Sequence, residues 1–383
     1  MPQRVAMGSL QCGMHAVDVS IRGRGAVATS LALALGQLGL RVALSAAALP
    51  RDARAADVRA YALNAASKRL LQRLRVWDAL PADAVTPVFD MRIRGDAPTG
   101  RLTFSAWTQC VDALAWIVDA AELDEALDAA LRFAGHVQRS EQMPEAPLTV
   151  YAEGKDSASR AALGVRFDRH DYGQVAIAAR LTAADAHQGV AHQWFRAPDV
   201  LALLPFDRPA AKRSFALVWS LPRERATALM QMDAASFEAE LQGSGPELPA
   251  GLRLASERAA WPLSIAAADP VFGAGWALVG DAAHVVHPLA GQGLNLGLGD
   301  VQVLAETLAG REPWRALGDE RLLARYARAR AWPVRTMSWL TDALVHGFSS
   351  RQGWARELRN RGMGLVDRAT PAKRWLAARA LEG

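Results

Sequence analysis

One stretch of this chain leaves few folds open. An apolar run, Trp276-Ala277-Leu278-Val279, stops at Gly280-Asp281, and a loop with Pro288 and Gly291 then leads to a long helical pattern starting near Gly293. The run reads as a buried strand, so the Asp281 carboxylate stands at the strand's carboxyl end. A helix N-terminus follows, which offers unpaired N–H groups and partial positive charge. Open α/β sheets bind their ligands at this kind of position. Read locally, the same run also suits a generic strand–loop–helix in which Asp281 is only a cap.

The start of the chain repeats the theme. Val17, Val19 and Ile21 read as a short strand, Leu31 to Leu38 as a helix closed by Gly39, and Arg41 to Leu44 as a second strand. Between strand and helix lies Gly23-x-Gly25-x-x-Ala28, the spacing of a dinucleotide turn. The first glycine permits the tight turn, the second lets a pyrophosphate approach the backbone, and a small third residue allows helix–strand packing. Two features cut against it. Ser20 and Arg22 interrupt a strand that should be apolar on both faces, and Ser45-Ala46 stand where an acid would bind ribose, with Asp52 a few residues on.

The remaining elements fit an interrupted nucleotide domain. Leu70, Leu71, Leu74 and Trp77 predict one helix within Ser67 to Leu80, and Leu123, Leu127, Ala130 and Ala134 predict another. Trp116-Ile117-Val118 and Leu148 to Tyr151 look like buried strands. From Val165 to about Pro262 strand patterns dominate, including Val175 to Ala178 and Phe215 to Trp219, with one helix near Ser236 to Leu241. The α/β pattern returns at Trp276 and helices follow from Leu294. The order predicts an α/β fold: a Rossmann-like domain (14–85, 113–165 and 264–345) interrupted by a β-rich substrate domain (86–112 and 166–263), then a helical segment, 346–383. No internal repeat is present.

Composition excludes several classes. With 383 residues, 51% apolar and 22% charged, the chain is a folded protein of more than one core. Cys12 and Cys110 cannot build a disulfide framework, and no Cys/His spacing suits zinc. The N-terminal residues lack a basic-then-apolar pattern, and Gly36, Gln37, Gly39 and Arg41 break the longest apolar stretch; a cytoplasmic protein is expected. Of the net charge of +5, all is accounted for by the last 33 residues, which carry eight cations and three acids. That segment, with Trp354, Leu358, Leu365, Trp375 and Leu376, suits either a solvated helix on the body or a basic amphipathic surface touching anionic lipid from the cytoplasmic side. Nucleic-acid binding is not expected.

The run from Gly280-Asp281 to Asp300 resembles the second FAD fingerprint of the single-component flavin aromatic monooxygenases, the para-hydroxybenzoate hydroxylase-like group. Within it, the chain is similar to the ubiquinone-biosynthesis hydroxylase family, with its pattern GDAAH-x-x-HPLAGQGLN-x-G-x-x-D. Arg59 to Ser67 with Leu70-Leu71, Asp171-Tyr172-Gly173-Gln174, Leu203-Leu204-Pro205 and Leu358 to Gly362 resemble further segments of that family in order. Its D-G-x-x-S-x-x-R fingerprint reads Glu153-Gly154-Lys155-Asp156-Ser157-Ala158-Ser159-Arg160 here, with Glu153 one methylene longer than the aspartate.

The resemblance implies FAD as cofactor, NAD(P)H as electron donor, and hydroxylation of a hydrophobic phenol, such as a polyprenyl phenol, through a flavin C4a-hydroperoxide. Gly23, Gly25, Ala28 and Arg59 would serve the ADP-side phosphates, with Glu153 and Gly154 at the pyrophosphate. Gly280 and Asp281 would meet the ribityl chain, and Pro288, Gly291, Gln292, Gly293, Leu294 and Asn295 would surround the isoalloxazine ring. His287, Pro288 and Gln292 would stand at the reacting centre, with His287 a proton-relay candidate and His284 structural. Trp194, Trp219 and Trp261 would pack the β-rich part or line its pocket. A homo-oligomer or a biosynthetic complex would fit such a role. Arg22, Ala46 and Glu153 also motivate a second reading, a flavin-fold accessory protein with weakened FAD binding.

Overall fold

The computed structural model describes residues 17–45, 57–97, 100–245, 247–286 and 292–349. It opens with β1 (Val19–Gly23), α1 (Ala26–Gln37) and β2 (Val42–Ser45), the expected βαβ unit. Gly39 ends α1 as expected, with φ +78° and its N–H on the Gly36 carbonyl. The polar residues of β1 do not disturb the core. Ser20 is buried, but its hydroxyl donates to the Pro144 carbonyl at 2.6 Å. Arg22 lies exposed near the strand's end, over the Tyr151 ring.

β3 (Ala60–Leu63) feeds α2 (Ala65–Arg73), which Asn64 caps by accepting the Ser67 N–H. The helix expected to reach toward Leu80 stops early. Arg75 adopts φ +60°, outside the helical region, and Trp77–Ala79 forms a separate 3-10 turn. Leu74 and Val76 are buried all the same, so the apolar spacing marks the core correctly but not the helix length.

Next come β4 (Val85–Val88), β5 (Asp90–Arg94), β6 (Arg101–Ser105), β7 (Ala115–Asp119), α3 (Ala120–Leu131), β8 (Val137–Ser140), β9 (Leu148–Ala152) and the short α4 (Ala158–Ala162). The β-rich stretch supplies β10 (Arg166–Thr182), β11 (Val190–Arg196), β12 (Asp199–Phe206) and β13 (Ser214–Pro222). It contains two helices where one was expected, α5 (Arg223–Gln231) and α6 (Ala234–Gly243). Only Ala226 and Leu229 of α5 are buried, too sparse a pattern to read. β14 (Arg253–Leu254), β15 (Ala259–Asp269), β16 (Phe272–Gly273), β17 (Trp276–Leu278), β18 (His284–Val285), α7 (Gln292–Ala309) and α8 (Glu320–Ser349) complete the order.

Among the described residues one sheet has the order β16-β17-β9-β1-β2-β8, parallel except for the β16–β17 hairpin. Leu31 and Leu35 of α1, Leu123 and Leu127 of α3, Leu304 of α7 and Leu322 of α8 form one buried cluster with Val19 and Ile21. Truncating any one of these leucines to alanine would cost about 2–5 kcal/mol. A second, nine-stranded sheet runs β18-β15-β10-β13-β12-β11-β5-β6, with β14 beside β10. Helices α5 and α6 cover one of its faces, where Trp219, Leu229 and Phe237 are buried together. The three-stranded sheet β3-β7-β4 approaches the other face, joining Ile117 and Val88 to Phe206 and Ala191. β18 pairs with β15, so the chain leaving β17 ties the two large sheets together. The basic segment beyond Ser350, Cys12, Ala46 and Asp52 lie outside the described residues.

Candidate active site

A cavity of about 1000 Å³ runs from the carboxyl ends of the parallel strands to the nine-stranded sheet. Gly23, Gly25, Ala28, Arg59, Glu153, Gly154, Gly280, Asp281, Gly293 and Leu294 all line it, although they come from five separate segments. This volume lies at the upper end for ligand pockets and has room for a dinucleotide together with a second molecule.

The glycine turn is built around close backbone approach. Gly23 pairs in register with Ala152 of β9, and a Cβ on it would lie 2.3 Å from the Ala152 carbonyl oxygen; its φ of +151° also disfavours a side chain. A Cβ on Gly25 would meet nothing within 4 Å, so that glycine keeps space open rather than relieving a clash. Ala28 is fully buried in the first turn of α1. Ser45, at the expected ribose-binding position, lines the cavity and lies 3.4 Å by its hydroxyl from the Gly23 N–H.

Two of the charged candidates are already engaged. The Arg59 guanidinium donates to Asp57 at 2.6 to 3.0 Å, a pairing that raises its pKa and lowers that of Asp57 despite burial. Its backbone carbonyl accepts from Arg180 at 2.7 Å. Nearby, burial pushes the Tyr61 phenol up to about 12. Glu153 accepts from the hydroxyls of Ser157 and Ser159 at 2.6 and 2.7 Å, and from the Ser159 N–H at 3.1 Å. The longer side chain thus caps the start of α4. Arg160, in the same fingerprint, donates to the carbonyls of Ala282 and Lys155, fastening this turn to the Gly280-Asp281 turn.

Asp281 opens onto the cavity but is otherwise enclosed by protein. That enclosure raises its pKa, opposed by the nearby His284 and Lys155. Behind it lies Asp300 of α7, fully buried. Its carboxylate accepts from the Gly280 N–H at 2.8 Å, from His284 Nε2 at 2.7 Å and from Arg330 Nε at 2.6 Å. The carboxylate can only accept, so Nε2 of His284 carries the proton. Burial alone would raise the Asp300 pKa, yet these partners hold it below the usual value. Arg330 also donates to the Leu296 carbonyl. Asp300 closes the fingerprint that begins at Gly280-Asp281, but its motif position assigned it no role. Its signal was a lone acid inside the apolar pattern Leu296 to Leu304.

Asn295 does not join the cavity. Its Oδ1 accepts from the Asn64 N–H at 3.0 Å and the Ser67 hydroxyl at 2.7 Å, while Nδ2 donates to the Ala62 carbonyl at 2.8 Å. The side chain expected beside the ring is therefore spent on tying α7 to the β3–α2 junction. His287, Pro288 and Gly291 lie outside the described residues; Gln292 begins α7, with only its backbone described.

The far end of the cavity is lined mainly by small apolar side chains, Ala176, Ala178, Ala191, Ala202 and Ala216 of the large sheet with Ala62 and Ala115 opposite, and His192, Gln193 and Ser264 add polar groups. Trp261 lines it too, whereas Trp194 and Trp219 are core residues on the sheet's other face. Among the described residues no group of His, Cys, Asp and Glu could hold a metal ion, and no helix is long and apolar enough to cross a membrane.

The model of the FAD binding domain family matches residues 122–338. The chain is 31% identical to the ubiquinone hydroxylase UbiL of Rhodospirillum rubrum, over 95% of this chain and 89% of the relative. It is likewise 31% identical to the 3-demethoxyubiquinol 3-hydroxylase of Escherichia coli K12, over 95% and 98%. The fold is similar to that of the p-nitrophenol 4-monooxygenase of Pseudomonas putida DLL-E4, with a TM-score of 0.74 at 17% identity over 96% and 98% of the two chains. By these matches the chain belongs to the FAD-dependent hydroxylase family of ubiquinone biosynthesis.

Proposed function

We infer that this protein is an FAD-dependent monooxygenase that hydroxylates the ring of a polyprenyl phenol in ubiquinone biosynthesis, with NAD(P)H and O₂. The observation that carries this reading is the single cavity joining a glycine-built turn to an alanine-lined sheet face. FAD, when bound, supplies the oxygen activation that side chains cannot. The chain's residues bind, orient and exclude water.

In this assignment the backbone at Gly23, Gly25 and Gly154 approaches the pyrophosphate, helped by Ala28 packing α1 close. Arg59 serves the phosphates by its charge. The Asp281 carboxylate accepts a ribityl hydroxyl, with Gly280 giving the turn. Gly293, Leu294 and Gln292 bring the α7 N-terminus toward the ring, where its partial positive charge favours the anionic reduced form. His287, Pro288 and Gln292 stand at the reacting centre, with His287 as proton relay. Glu153 acts indirectly, by ordering the turn that Arg160 fastens behind Gly280.

The two large sheets support a division into an FAD-binding domain and a β-rich substrate domain, although β4 (Val85–Val88) and β15 (Ala259–Asp269) run across the expected boundaries at 85/86 and 263/264. We place the protein in the cytoplasm, with its basic C-terminal segment against the membrane that holds the substrate, and with a homo-oligomer or a biosynthetic complex as its working form. Mass spectrometry of quinone intermediates in a deletion strain tests the function. Accumulation of a prenylated phenol lacking one hydroxyl is expected and names the ring position; unchanged quinone levels would move the substrate to a soluble phenol. The accessory-protein reading draws on the Arg59–Asp57 pair, which occupies a phosphate-side cation, and predicts a preparation that does not take up FAD.

A further inference from the structure

The outer face of α8 carries a pattern that the hydroxylase reading does not use. Arg321, Arg325, Arg328, Trp332, Arg335 and Trp339 follow one another at steps of four, three, four, three and four. At about 100° per residue they fall within an arc of roughly 80°, along about 27 Å of helix. All six are exposed, Trp332 at 67% and Trp339 at 72%. The opposite face holds Leu322, Leu323, Tyr326, Arg330 and Met337, all buried against the body. The stripe is therefore the side of a docked helix that the fold leaves outward. Between Arg321 and Trp339 it is bordered by Ala324, Ala329, Ala331 and Thr336, and the acids of the helix, Glu320 and Asp342, fall outside that span. Arg325 pairs with Glu312 from the preceding loop.

Two exposed indoles on such a face are a poor match to water and a good match to the headgroup region of a bilayer, where their amphipathic rings collect. Arginines at the same level are drawn to anionic headgroups. We propose that the Arg/Trp stripe of α8 is a docking surface for an anionic lipid bilayer, with the helix lying in the plane of the interface. The chemistry of the stripe favours this occupant over two others. A second copy related by a two-fold axis would set arginine against arginine. A single-stranded nucleic acid is normally held in a basic groove, and this face is the convex side of a helix. The stripe is formed by residues 321–339 alone, and its existence does not depend on the hydroxylase reading.

The test uses the full-length, FAD-loaded protein and co-sedimentation with vesicles of phosphatidylcholine alone or mixed with phosphatidylglycerol. Binding is expected to the mixed vesicles and to weaken as salt is added. The Trp332→Ser/Trp339→Ser variant and the Arg328→Gln/Arg335→Gln variant leave the C-terminal segment intact. Each arginine is worth about a fivefold change in partitioning near an anionic surface, so the arginine variant should lose roughly 25-fold. The tryptophan variant should fall toward the level of neutral vesicles. Unchanged flavin absorbance in both variants reports intact folding. Native protein that ignores the mixed vesicles, or variants that bind them as the native chain does, would overturn the proposal. So would a stripe-dependent dimer, or stripe-dependent binding of a single-stranded oligonucleotide, without vesicle binding. Vesicle binding is read independently of turnover.

Discussion

At the scale of single residues, the Asp300 carboxylate bonds a backbone N–H, an imidazole and a guanidinium at once, and so fixes the turn that presents Asp281. Asp300→Asn leaves Arg330 and His284 buried without their anion and is expected to cost about 3 kcal/mol at neutral pH, read as a lower urea midpoint. The pH dependence has a definite sign. The folded pKa of Asp300 is depressed, so its contribution is complete above the unfolded value of about 3.9 and is lost as pH falls through the folded value. The native protein should therefore lose stability below about pH 4 more steeply than Asp300→Asn; equal slopes would contradict the account. Gly23 tests the other end of the cavity. Gly23→Ala forces a Cβ against the Ala152 carbonyl in a paired strand and should weaken FAD binding about fivefold or more by flavin fluorescence titration, for about 1–3 kcal/mol of strain. Gly23 was legible because local spacing states what such a turn needs. Asp300 was legible only as the closing position of the fingerprint; its bonds to His284 and to Arg330, 16 and 30 residues away, were not, because spacing does not say which side chains meet in a buried core.

At the scale of elements, strands and helices with continuous apolar patterns were legible: β1, α1, β9 and β17 sit where their residues put them. Misreadings arose where backbone conformation or tertiary contacts decide. Arg75 ends α2 by turning left-handed, a choice that side-chain hydrophobicity does not encode. Asn295 sits in the best-matched motif, yet its amide is committed to the β3–α2 junction rather than to the cavity. Asn295→Ala leaves the buried Asn64 N–H unpaired and should cost about 1–3 kcal/mol. Melting temperature should fall while the flavin absorbance spectrum of loaded protein stays unchanged. A shifted spectrum at unaltered stability would instead mean that the amide contacts the ring.

At the scale of the whole molecule, the interrupted α/β order was legible because the pattern changes from parallel-sheet runs to long antiparallel strands and back. The cavity between the sheets was not, since it depends on which alanines of β10, β11, β12 and β13 face one way. Those alanines set its width. Ala216→Leu should lower kcat/KM for a long-tailed phenol by tenfold or more while leaving FAD content unchanged; equal loss with a short-tailed phenol would place the effect on the ring site instead. The central claim is that this cavity couples FAD to ring hydroxylation. The most direct measurement supplies the FAD-loaded protein with NAD(P)H, a prenylated phenol and ¹⁸O₂, and weighs the product. One labelled oxygen on the ring is expected; consumption of NAD(P)H with no label in the phenol would show that this cavity does not hydroxylate the ring.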